Sequence, residues 1–219
     1  MITTVLCDLD GTLIDSRQDI IDAFHHAIDQ VGQGPLPASH LVAQMIGKPL
    51  VDMAHDLGIA LTPAQQTTFL ASYRAHYATH CVRTTRAYPG VLATLQNLAD
   101  LTLGIVTTKL QEQAELVLAQ LNLAQFFRHI QGGTPGLRLK PAPDAILVAL
   151  QKLGQSAAHT LMVGDTIADI QAGKAAGVRT CAVMYGFGDA AALRDCRPDY
   201  CIRSFPELLS VVTREAVQY

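Results

Sequence analysis

One β-favouring apolar run, Thr3 to Leu9, opens this chain, and from Asp15 to about Arg86 nothing reads as a second strand. A lone strand cannot satisfy its own edges or cover its own faces, so this one must pair with segments far away in sequence. Those segments come after Tyr88-Pro89-Gly90. Leu101 to Thr107 has strand character, Glu112 to Leu121 helix character, and Pro143 to Leu153 reads as a helix closed by Gly154. Thr160 to Val163 is a strand, Ile167 to Ala176 a helix ending at Gly177, and Val178 to Val183 a strand. Alternation with short connections predicts a parallel sheet covered on both faces. The first strand belongs to that sheet, so the helical stretch between is an insertion.

The expectation is therefore an α/β protein: a Rossmann-like parallel sheet core from residues 1–14 and 87–219, with a helical cap at 15–86. Within the cap, Ser16 and Asp19 are spaced as a capping pair, followed by Ile20, Ile21, Phe24, Ala27, Ile28 and Val31 at helical spacing. Breaks fall at Gly32 to Pro37 and at Gly47-Lys48-Pro49. Thr62-Pro63-Ala64-Gln65 is a second helix start with a capping box, ahead of Phe69, Leu70, Tyr73 and Tyr77.

Polar residues gather at one place in this scheme, the C-terminal ends of the strands, where open α/β sheets bind ligands. They are Asp8 and Asp10, Thr107 and Thr108, Lys140, and Asp165 with Asp169. Asp8 and Asp10 lie two apart at a strand end and start on one face, where like charges need a cation or a shared proton. Several carboxylates together suit Mg²⁺, and Gly11 permits a tight turn whose N–H groups could cradle phosphate. With the Thr107 hydroxyl and the Lys140 ammonium, the set carries the parts of a phosphoryl-transfer site.

Asp8-Leu9-Asp10-Gly11-Thr12-Leu13, Val106-Thr107-Thr108-Lys109, Lys140-Pro141 and Val163-Gly164-Asp165-Thr166-Ile167-Ala168-Asp169 together resemble the four motifs of the haloacid dehalogenase superfamily, in order. Tyr88-Pro89-Gly90-Val91 resembles the segment by which its members re-enter the core from the cap. The resemblance implies Asp8 as nucleophile and Asp10 as acid and base, its backbone carbonyl also facing the metal. It implies Thr107 as a phosphoryl hydrogen-bond donor, Lys140 as the bridge between Asp8 and phosphate, and Asp165 as a metal ligand. Asp169 would ligate the metal or orient a bound water. Gly11, Thr108 and Lys48 are the further candidates for phosphate or substrate contact. Cys7 and Thr108 depart from the commoner aromatic residue and Asn or Ser.

Asp10 speaks for phosphate-ester chemistry, because dehalogenating and phosphonate-cleaving relatives usually lack a carboxylate there. The expected activity is Mg²⁺-dependent hydrolysis of a small phosphate monoester, of the phosphoglycolate or sugar-phosphate kind. A mutase of the beta-phosphoglucomutase type and a phospho-accepting signalling domain are the alternatives. Taken singly, each residue has a plainer reading: a helix cap for an aspartate, a strand residue for Thr107, a surface charge for Lys140 or Lys48. His76, His80 and Cys81 have a spacing that could hold zinc but no further ligand nearby.

A formal charge of −3 with scattered Lys and Arg gives no basis for a nucleic-acid partner. No apolar stretch is long enough for a bilayer, and the opening run, reaching an aspartate by Asp8, does not read as a secretion signal. Five cysteines without a CxxC pair suit a reducing compartment, so a cytoplasmic location is expected. The expected partner is a small phosphorylated metabolite; the sequence carries no signal for oligomeric state and no functional pattern in the helix-like stretch Pro206 to Ala216.

Overall fold

The computed structural model describes residues 1–214. Ser16–Arg86 is one compact unit, and the rest of the described chain, before and after it, is another.

The second unit is built on a six-stranded parallel sheet. Its strands are β1 (Thr4–Cys7), β4 (Thr102–Leu110), β5 (His129–Gly133), β6 (Thr160–Gly164), β7 (Arg179–Val183) and β8 (Tyr200–Ile202). The two-residue strands β2 (Ile14–Asp15) and β3 (Arg86–Ala87) lie where the chain leaves and re-enters. The spatial order β5-β4-β1-β6-β7-β8 puts the first strand in the middle, with later strands added on both sides. That reversal of direction beside β1 is the switch point at which such sheets open a crevice. All four residues of β1 are buried, as a central strand covered on both faces demands.

Among the described residues six α-helices accompany the sheet: α5 (Val91–Asn97), α6 (Gln111–Gln120), α7 (Asp144–Leu153), α8 (Ile167–Ala175), α9 (Ala190–Asp195) and α10 (Leu208–Arg214). Leu6, Val106 and Met162, from three adjacent strands, pack with Ile146, Ala149 and Leu150 of α7 and with Ala172 of α8. Ile170, Ala182 and Leu193 form a smaller cluster. Gly154 ends α7 in the left-handed conformation, as its place after Leu153 predicts.

Sequence periodicity gives no signal for β5 or β8. In β5, His-Ile-Gln-Gly-Gly has little strand propensity of its own, and pairing with β4 at Gly104, Ile105 and Val106 supplies the structure. A Cβ on Gly132 would sit 2.6 Å from Gln111 Cα, so the approach of α6 requires glycine there. Of the stretch Pro206 to Ala216, the part after residue 214 lies outside the described residues.

The Ser16–Arg86 unit holds α1 (Arg17–Gln30), α2 (Ser39–Met45), α3 (Leu50–Asp56) and α4 (Pro63–His80). Phe24 of α1 meets Phe69 of α4 edge to face at 5.4 Å. Thr62 and Gln65 form the capping box at α4. Ser16 and Asp19 do not form one: Ser16 makes no side-chain cap. Asp19 is buried and accepts bonds of 2.6–3.0 Å from the N–H and hydroxyl groups of Thr84 and Thr85. Partners 65 and 66 positions away outcompete the local cap. His76 stacks on His26 at 4.5 Å and on His80 at 4.3 Å, and among the described residues His76, His80 and Cys81 form no group of converging ligand atoms. No helix among the described residues is long and apolar enough to cross a membrane.

Candidate active site

Asp8 follows β1 directly, its N–H bonded to Val163 O across the sheet. Gly11 then takes φ +85°, and a Cβ there would lie 2.2 Å from Asp165 Oδ2. No other residue fits, on grounds both of conformation and of space. That turn brings Thr12 back so that its hydroxyl donates to Asp165 Oδ1 at 2.9 Å. The second Asp165 oxygen accepts from Phe187 N–H at 2.7 Å, in the loop after β7. Asp169 sits in the first turn of α8, where its Oδ2 accepts from the Thr166 N–H (2.9 Å) and hydroxyl (2.6 Å).

Lys140 ties these acids together. Its Nζ donates to Asp8 Oδ1 at 2.8 Å, to Asp169 Oδ1 at 2.5 Å and to Val106 O at 2.8 Å. All three hydrogens of the ammonium are thus directed, and its side chain is only 3% exposed. Burial alone would lower the Lys140 pKa, but Asp169 and Asp8 outweigh it and hold the group above its usual range.

Oxygen atoms of Asp8, Asp165 and Asp169 all lie within 4.8 Å of one another. Among the described residues this is the one group of three or more His, Cys, Asp or Glu side chains whose ligand atoms converge. Three buried carboxylates converge beside a single lysine, and burial and repulsion show in the acidity of Asp165 and Asp8. Burial pushes Asp165 up to about 8, with Asp8 and Asp169 adding repulsion against the Phe187 and Thr12 bonds. Burial likewise pushes Asp8 up to about 6, opposed by Lys140 and reinforced by Asp169. Such a set of hard oxygen donors, short of positive charge, fits a divalent cation.

Asp10 stands apart from that group. Its carboxylate accepts from Lys109 Nζ at 2.8 and 3.1 Å, with side chains 13% and 5% exposed. Thr107 is buried, and its hydroxyl accepts from Lys109 N–H at 3.2 Å. Thr108 is half-buried beside it on the same strand. Lys48 belongs to the helical unit, where it pairs with Asp56 at 2.8 Å and is half exposed. Lys109 and Thr166 received no role from the sequence. A lysine after an apolar run reads as solvated, and a threonine before a helix reads as a cap; only the fold shows which acids they touch.

The model of the family described as haloacid dehalogenase-like hydrolase matches residues 5–183. The chain belongs to that family. Among similar members, a pyrophosphatase PpaX from Halalkalibacterium halodurans is 36% identical over 213 residues, covering 96% of this chain and 97% of the relative. A phosphoglycolate phosphatase from Neisseria meningitidis serogroup A is 35% identical over 217 residues, covering 94% and 92%. A solved haloacid dehalogenase-like hydrolase from Streptococcus pneumoniae superposes with a TM-score of 0.86 at 29% identity, covering 96% of this chain and 98% of that one. The cluster of acids and lysine thus sits on the fold of a haloacid dehalogenase-like hydrolase.

Proposed function

We propose that this chain is a Mg²⁺-dependent phosphatase that hydrolyses a small phosphate monoester through an aspartyl phosphate on Asp8, with the helical unit as its cap. The observation that carries this is the split of four acids into two kinds: three whose carboxylate oxygens converge, two of them on Lys140, and Asp10 held separately on Lys109. A nucleophile and an acid/base must differ in environment to do different work.

In this reading an Asp8 carboxylate oxygen attacks phosphorus while the bond to the leaving oxygen breaks, and Asp10 gives that oxygen its proton. A water then attacks the phosphorus, its proton passes to Asp10, and the bond to Asp8 breaks to release phosphate. Lys140 holds Asp8 in place and offsets its charge, and Thr107 and Thr108 bind phosphoryl oxygens. Gly11 contributes the tight turn and not a donor to that cradle, because its N–H is bonded to Ile14 O at 2.9 Å. Asp8, Asp165 and Asp169, with the Asp10 carbonyl, would hold Mg²⁺, which supplies charge neutralisation and orientation of the phosphate. Lys48 is the candidate contact for the far anionic end of the substrate.

The relatives' names put phosphoglycolate at the head of a substrate panel and pyrophosphate beside it. Both are small and phosphorylated with an anionic group at each end, phosphoglycolate a monoester and pyrophosphate an anhydride, and neither name favours a mutase or a signalling switch. The test is phosphate release with Mg²⁺ across those two compounds, sugar phosphates and nucleotides, with Asp8→Asn as the blank. Release from one compound, dependent on Mg²⁺ and absent in the mutant, is expected. Equal release by wild type and Asp8→Asn, or none from any compound, would overturn the proposal.

A further inference from the structure

We propose that Lys109 is the positioning residue for Asp10, holding the acid/base carboxylate in a fixed orientation away from the three metal-side acids. This rests on the phosphatase reading above and extends it to a residue to which that reading gives no part. β4 runs nine residues, to Leu110, past the point where its apolar pattern stops. The pairing of β4 with β5 shifts register between Val106 and Leu110, so the segment that carries the Thr107 hydroxyl leaves regular strand geometry where it carries Lys109. Lys109 reaches 99 positions back in sequence to both oxygens of Asp10, at 2.8 and 3.1 Å. Its side chain is 5% exposed, unlike a solvated surface lysine, and the Thr107 hydroxyl accepts from its backbone N–H at 3.2 Å. A carboxylate bonded through both oxygens loses its rotational freedom. Asp10 needs such restraint because it works twice per turnover, giving a proton to the leaving oxygen and taking one from water. Lys109 itself transfers no proton in either half.

The test compares phosphoglycolate, or the best alkyl phosphate of the panel, with para-nitrophenyl phosphate, whose leaving group departs without a proton. Lys109→Met should lower kcat on the alkyl phosphate about 10- to 100-fold, a share of what a general acid and base contributes, with KM changed by no more than about twofold. On the aryl phosphate it should give a burst of nitrophenol followed by slow turnover, because only the hydrolytic half still needs Asp10. Acid quenching should then trap more aspartyl phosphate than in wild type. Lys109→Arg, whose guanidinium also spans two carboxylate oxygens, should restore most of the activity. A near-ultraviolet circular dichroism spectrum checks folding, and Lys109→Gln carries the same comparison if the Met variant fails it.

A raised KM at unchanged kcat would overturn the proposal, since Lys109 would then be touching substrate. Equal loss on both substrates without a burst would also overturn it. Either result leaves the phosphatase reading standing, because wild type remains active and Asp8→Asn inactive. A wild type that hydrolyses nothing takes both down.

Discussion

Lys140 is shared between Asp8 and Asp169, and its removal leaves buried carboxylates without their cation. Lys140→Met should cost about 3–5 kcal/mol of stability, the range for breaking a buried pair, read by calorimetry as a lower Tm. Asp165→Asn tests the opposite sign of charge. Mg²⁺ at about a hundred times its Kd should stabilise wild type by about 2.7 kcal/mol, and the same addition should leave the variant's Tm almost unmoved. The motif acids and Lys140 could be read from the sequence because four motifs follow one another in order; taken singly each has a plainer use, and Asp169 does also cap α8. Lys109 could not: its meaning depends on β4 lying beside β1 with Leu6 opposite Gly104 and Cys7 opposite Ile105, a register that one strand's residues do not contain.

At the scale of elements, the start of α8 and the acid cluster share one carboxylate. Asp169 Oδ2 closes the capping box with Thr166 while Oδ1 accepts from Lys140. Thr166→Val should therefore cost about 1 kcal/mol, as loss of a cap does. It should also weaken Mg²⁺-dependent activity about 10- to 100-fold, as loss of an orienting partner does; thermal melts and Mg²⁺ titrations of the rate separate the two. Long periodic helices such as α1 and α4 were legible from spacing, and so was the Thr62 box. β5 and β8 were not, because their residues adopt strand structure through their neighbours. The Ser16–Asp19 pairing failed for a related reason: a buried carboxylate goes to the strongest set of donors, and Thr84 and Thr85 offer four.

For the whole molecule, the sequence implies that the first strand joins the later ones, while the strand order, with β4 and β6 on either side of β1, comes from the structure. Asp19 carries a consequence at this scale. Burial alone would raise its pKa, but the Thr84 and Thr85 bonds outweigh that and hold it below the usual carboxylate range. A depressed folded value means stability that is fully present above the unfolded value of about 3.9 and is lost as pH falls through the folded one. The Tm gap between wild type and Asp19→Asn should be widest near neutrality and close as pH is lowered below the unfolded value of about 3.9. Asp19 also fastens the two ends of the helical unit to each other, while Tyr88 N–H bonded to Leu13 O does the same for the flanking chain. Each unit thus secures its own junction. For recombination between relatives, residues 16–86 form a cassette, and a chimera would keep an acid at position 19, the threonine pair at 84 and 85, and the backbone bond from 88 to 13.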